Sequence, residues 1–154
     1  MAISPLSRAT LLLILLGHLA QGADLTAMGD WTETITATNL VTGAGSDLPS
    51  QFESISGVTV LAISNAPGPW TLRARIAGAG GHGDVIVLVK RTSAGSGTGS
   101  VEGGTTYTAL NGLDAEIFSG TESRESISLQ FKLTGLSCRI SPDTYFSSII
   151  FTVQ

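Results

Sequence analysis

Trp70-Thr71-Leu72-Arg73-Ala74-Arg75-Ile76 decides the fold class of this chain. Trp70, Leu72, Ala74 and Ile76 fall on every second position, with Thr71, Arg73 and Arg75 between them. Successive side chains of a strand point to opposite faces, so the run has one apolar face and one polar face. Wound as a helix, it would scatter its apolar side chains around the whole cylinder. Ile127-Ser128-Leu129-Gln130-Phe131-Lys132-Leu133 repeats the pattern. Both stretches predict half-buried strands of antiparallel sheets.

Working outward, residues 58–63 and 85–89 are almost continuously apolar, which predicts central strands covered on both faces. Residues 145–153 alternate along Tyr145, Ser147, Ile149, Phe151 and Val153. Residues 31–41 are rich in Thr and are expected to be extended, as a first strand. Asn111-Gly112, flanked by residues 105–110 and 113–118, is the dipeptide that a type I′ turn prefers, so a tight hairpin is expected there. Asn65-Ala66-Pro67-Gly68-Pro69 turns the chain, because proline fixes φ and denies a ladder donor. Ser93-Ala94-Gly95-Ser96-Gly97-Thr98-Gly99-Ser100 has little to bury and predicts a mobile loop. Together these runs predict an all-β chain: a single antiparallel β-sandwich, immunoglobulin-like or pilin-like, of about seven to nine strands.

The start of the chain has a different character. Arg8 precedes the apolar run of residues 9–16, and the small residues Ala20, Gly22 and Ala23 follow. A basic residue, a short apolar run and an A-x-A-like site have the form of a secretory signal peptide. Cleavage is expected after Gly22, leaving residues 23–154 as one domain. A spanning helix needs roughly 20 apolar residues, so no membrane span is expected after cleavage. The location is then secreted, periplasmic or cell surface. The net charge is −4, and loss of Arg8 makes it more negative by one. That sign, with no basic patch, disfavours nucleic acid. Cys138 is the only cysteine, so no intramolecular disulfide can form. Its parity with Leu136 and Ile140 predicts a thiol turned into the core.

Catalytic and cofactor chemistry find little support. Gly78-Ala79-Gly80-Gly81-His82-Gly83 matches G-x-G-x-x-G, but a dinucleotide fingerprint must open a helix, and β-branched residues follow. His82 is the only histidine beyond the signal, and glycines flank it. One His and one Cys cannot assemble a closed zinc site. Asp114 with Glu116, or Glu122 with Glu125, could contribute to calcium, yet no D-x-D-x-D loop exists. No enzyme activity, cofactor or metal is therefore expected. Among the aromatics that could stack on a sugar, Trp70 belongs to the apolar face of its strand, whereas Trp31 has a more polar neighbourhood and is the candidate platform. A glycan-binding or protein-binding module is thus the alternative role, and an uncharacterised secreted enzyme a distant third.

The end of the chain carries a resemblance. Ser141-Pro142-Asp143-Thr144-Tyr145, followed by Ile149, Phe151 and Val153, resembles the ending of bacterial secreted β-sandwich subunits of the spore-coat U and chaperone-usher pilin-like families. The resemblance covers about a dozen residues, and it implies a fibre or surface subunit that accepts or donates a strand. Unpaired backbone along an open sheet edge would be satisfied by another chain. The residues expected in strand exchange or partner contact are Trp31, Ile35 and Val41 near the start, with Tyr145, Ile149, Phe151 and Val153 near the end. The expected role is a secreted or envelope structural or adhesion module, self-associating or bound to another envelope protein.

Overall fold

The computed structural model describes residues 22–78, 82–141 and 143–154. Residues 1–21 of the expected signal peptide lie outside the described residues, as do Ala79, Gly80 and Gly81 of the glycine motif and Pro142 of the C-terminal turn. The described chain is all-β. In chain order its strands are β1 (Asp24–Met28), β2 (Gln51–Glu53), β3 (Thr59–Ser64), β4 (Pro69–Ala77) and β5 (Ile86–Arg91). There follow β6 (Val101–Glu102), β7 (Thr108–Leu110), β8 (Ala115–Thr121), β9 (Arg124–Thr134) and β10 (Ser148–Val153). They form two antiparallel sheets. The first has the order β1-β3-β9-β5-β7, with β2 added beside β9, and the second has the order β10-β4-β8-β6.

The two-residue rhythm explains the packing. Trp70, Leu72 and Ala74 of β4 and Ile127, Leu129 and Phe131 of β9 are buried, and together with Leu61, Ile63, Val89 and Phe118 they belong to one core cluster fed by both sheets. Fully burying each such side chain contributes about 1.5–3 kcal/mol before the entropy of ordering it. Trp70 is 3% exposed. Its ring meets Phe118 edge-on with centroids 6.1 Å apart, and its indole N–H donates to the Glu122 carbonyl at 2.7 Å. A buried indole is thereby left with no unpaired donor. Where β8 passes Leu72 the register shifts, and this bulge turns both Ile117 and Phe118 inward.

Several expectations need correction. Residues 31–41 are not a strand; the first strand among the described residues is β1, seven residues earlier in the chain, and it pairs with β3. The reason is local polar competition: the Thr36 hydroxyl accepts from the Thr38 amide at 3.3 Å, and Asn39 Oδ1 accepts from the Thr36 amide at 2.8 Å. These bonds cap a 3-10 turn at Ala37–Asn39 and offer the backbone an alternative to a ladder. Asn111-Gly112 does not close a hairpin. β7 pairs with β5 in the first sheet and β8 with β4 in the second, and neither residue has positive φ. The link therefore carries the chain from one sheet to the other. β3 and β5 are central within their sheet, but their outward side chains stay half-exposed, and Ile86 is exposed. Cys138 is exposed. It sits in a turn closed by the Ile140 amide on the Ser137 carbonyl at 3.1 Å, so strand parity does not apply to it.

The glycine-rich stretch is held rather than mobile. Arg124, at the start of β9, is 8% exposed. Its guanidinium makes five hydrogen bonds of 2.6–3.3 Å to the carbonyls of Ala94, Gly95, Gly97 and Gly99, which matches the five N–H donors an arginine owns. Ser96 and Glu125 exchange backbone bonds at 2.7 and 2.8 Å. A Cβ at Gly95 or Gly99 would collide with the carbonyl oxygen of Glu125 or Thr121. These glycines let two backbones touch. Opposite them the β9 backbone is itself irregular, with Ser126 at φ 58° and a register shift against β3 between Leu61 and Ile63.

Arg124→Ala should therefore cost about 3 kcal/mol, since it leaves several carbonyls without donors. Urea denaturation of both proteins reads this directly. A loss below about 1 kcal/mol would mean that the loop is held by other contacts.

Candidate functional site

The features that stand out for function are sheet edges rather than a cleft. β1 and β10 are terminal strands of different sheets, and they come close to one another on one flank. The opposite edges are β7 and β6, of three and two residues. Short edge strands are a common way of blunting an edge against pairing. β1 and β10, of five and six residues, are not blunted in that way.

The residues singled out from sequence divide between these regions. Ile149, Phe151 and Val153 lie on β10, opposite Ile76, Ala74 and Leu72 of β4. They face the core and pack against it, yet each remains partly exposed, as expected where no further strand covers them. Tyr145 precedes β10 in an irregular segment. Its hydroxyl donates to the Ser141 carbonyl at 2.9 Å, and its ring stands edge-on to His82 with centroids 5.6 Å apart. Trp31 also packs against the core cluster, half-buried instead of offering a free platform. Ile35 is half-buried, and Val41 is 63% exposed. Trp31, Ile149, Phe151 and Val153 thus share a core, while Ile35, Val41 and Tyr145 do not join it.

His82 is turned onto its own loop. Its Nδ1 accepts from the Asp84 amide at 3.3 Å and lies 3.6 Å from the Asp84 carboxylate. β5, not a helix, follows the glycine motif, so the motif opens no helix N-terminus that could meet a pyrophosphate. Among the described residues, two of the shallow cavities, of about 230 Å3 each, accompany the second sheet. One is lined by Ala23, Ala66, Pro67, Trp70 and Gln154, and the other by Thr71, Ser100, Glu102, Ser119 and Gly120. His82 lines neither. Among the described residues no three His, Cys, Asp or Glu side chains are grouped as metal ligands. No described helix is long and apolar enough to cross a membrane.

Sequence reasoning missed a polar cluster on the outer face of the first sheet. The Lys132 ammonium lies 2.9 Å from the Glu53 carboxylate and donates to Gln51 Oε1 at 3.1 Å. Lys132 and Lys90 stand 4.2 and 4.5 Å from the centre of the Tyr107 ring, within reach of a cation–π attraction. The Tyr107 hydroxyl is buried and meets no hydrogen-bond partner among the described residues. Burial, and then the Glu53 charge, push the phenol up to about 12. At neutral pH the phenol holds its proton, and the cluster fastens β2, β5 and β9 to the segment before β7. The only signal in the sequence was the outward parity of Lys90 and Lys132; Tyr107 lies outside any strand and had no parity to read.

Cys138 belongs to another tie between distant segments. Its amide and that of Leu48 both donate to Asp47 Oδ1 at 2.8 Å, and these bonds lower the Asp47 carboxyl. Desolvation, and then Asp47, raise the Cys138 thiol, which works against a thiolate nucleophile.

Comparison with known proteins finds no matching family model, curated protein or solved structure.

The Lys132 hydrogen bond holds the Glu53 carboxyl below its ordinary value of 4.5. The contribution of Glu53 to stability is therefore present above that value and is lost as the pH falls through the lower folded one. Glu53→Gln should flatten the acid limb of the stability curve and leave its shape above neutrality unchanged. Thermal melts across about pH 2–9 check this, and an unaltered acid limb would show the pair to be inconsequential.

Proposed function

We propose that the chain is a secreted or cell-envelope structural or adhesion module, built as a β-sandwich and working by self-association as a fibre or surface subunit. The observation that carries this reading is the flank where β1 and β10 end their two sheets side by side, against an opposite flank ended by strands of two and three residues. Unpaired N–H and C=O groups along an edge are a template for another strand. The proposed partner contacts are Ile149, Phe151 and Val153 of β10, with Tyr145 before it. Trp31, Ile35 and Val41, on the long connection from β1 to β2, are the contacts proposed from the other end of the chain.

A non-enzymatic role agrees with the chemistry at hand. His82 is engaged with its own loop, and the Cys138 thiol is biased toward its protonated form. The resemblance of residues 141–153 to spore-coat U and pilin-like endings supports an extracellular subunit and remains part of the proposal, together with removal of residues 1–22 as a signal peptide. The immunoglobulin-like arrangement belongs to it as well.

Expression of the full chain in bacterial cells tests export and assembly together. N-terminal sequencing of the extracytoplasmic fraction should begin at Ala23, and cross-linking of that fraction should give multimers. Retention in the cytosol with residues 1–22 intact would overturn the reading.

A further inference from the structure

β10 is the more unusual of the two edges. Ser148-Ile149-Ile150-Phe151-Thr152-Val153 contains no charge, proline or glycine. Exposed edges are ordinarily guarded by a lysine, a proline, a bulge or an inward charge, and none of these is present along it. β1 begins instead with Asp24, which accepts from the Asn65 side chain, and it is followed by Gly29-Asp30. The face beside β10 is locally neutral too: Arg73 lies 3.7 Å from Glu116 and Arg75 lies 3.4 Å from Asp114.

The main-chain geometry says which groups are free. Thr71 and Gln154 exchange backbone bonds at 2.8 and 3.1 Å. In an antiparallel pair, hydrogen-bonded and non-bonded positions alternate. Residues 148, 150 and 152, opposite Ala77, Arg75 and Arg73, therefore point their peptide groups at β4. Ile149, Phe151 and Val153 point theirs out of the sheet edge.

From this geometry we infer that β10 pairs antiparallel with β10 of a second copy about a two-fold axis at Phe151. The inference rests on the self-association proposed above and names its interface. Phe151 then faces its own counterpart, and Ile149 faces Val153 of the other copy, so that every outward N–H meets an outward C=O. The apolar pattern runs β-branched, aromatic, β-branched, and reads alike in both directions, which suits an isologous contact. Two four-stranded sheets become one continuous sheet, and the core-facing sides of Ile149, Phe151 and Val153 lose their residual exposure. A second copy fits better than an oppositely charged partner. Two processed copies, each one unit more negative than the −4 of the full sequence, repel wherever carboxylates meet, and this strand offers a contact free of them.

The test compares the purified protein with two variants by light scattering over a range of concentration. Val153→Pro removes an N–H that faces solvent, a position where an edge strand tolerates proline. Ile150→Lys puts a charge at an outward position that is 38% exposed. The original protein should double its mass with concentration, and both variants should stay monomeric while keeping the original circular dichroism and cooperative melting. If the original protein assembles and both folded variants assemble equally well, the β10 interface is overturned and self-association by another surface stands. If the original protein is strictly monomeric at the highest concentration, both the interface and the self-association are overturned.

Discussion

The Arg124 guanidinium fixes the corner at which the chain leaves one sheet and enters the other. β8 ends at Thr121 in the second sheet and β9 begins at Arg124 in the first. A cation there is almost out of water, and it is tolerable because each N–H finds a carbonyl. Those carbonyls all come from one loop, so the same group that needs partners also immobilises residues 94–99. The arrangement is demanding at both ends. The loop must expose carbonyls at close range, which requires small residues, and the corner must bend tightly enough to present the side chain. Glu122 at φ 55° and Ser126 at φ 58° are bends that side-chain-bearing residues adopt at some cost. Trp70 secures the corner a second time through the Glu122 carbonyl.

How far the fold was legible follows from what a two-residue period can carry. β4 and β9 were plain because one face of each is committed to the core and the other to water. Residues 31–41 misled because threonine favours strands by shape, yet its hydroxyl can also bind the backbone nearby, and at Thr36 the local bond prevails. Asn111-Gly112 misled for a different reason. Turn chemistry shows that a chain bends, but not whether the next strand rejoins the same sheet. The glycine stretch did hold a clue: Gly95, Gly97 and Gly99 lie two apart, Gly95 and Gly97 take the positive φ that glycine allows, and at each of the three a Cβ would strike a backbone carbonyl. Composition alone made the stretch look loose, and the arginine that grips it sits some 25–30 residues away in sequence.

The candidate site was legible in part. Ile149, Phe151 and Val153 were found from alternation, which gives the facing of a strand. Alternation cannot give its neighbours, and the standing of β10 as an edge comes only from the pairing of β4 with β8 on its other side. The Tyr107 cluster depends on three strands and a loop meeting across the outside of a sheet. No local pattern reports such a meeting, since the outward positions of a strand are permissive to almost any polar residue.

Trp70 also gives the molecule an internal optical gauge. Its indole is shut away from water beside Phe118 and tethered to the turn that Arg124 organises, whereas Trp31 stands half in solvent. The two chromophores therefore sample dry and wet surroundings within one chain. A red shift confined to the dry component would register the parting of the two sheets at their shared bend, ahead of any wholesale loss of secondary structure.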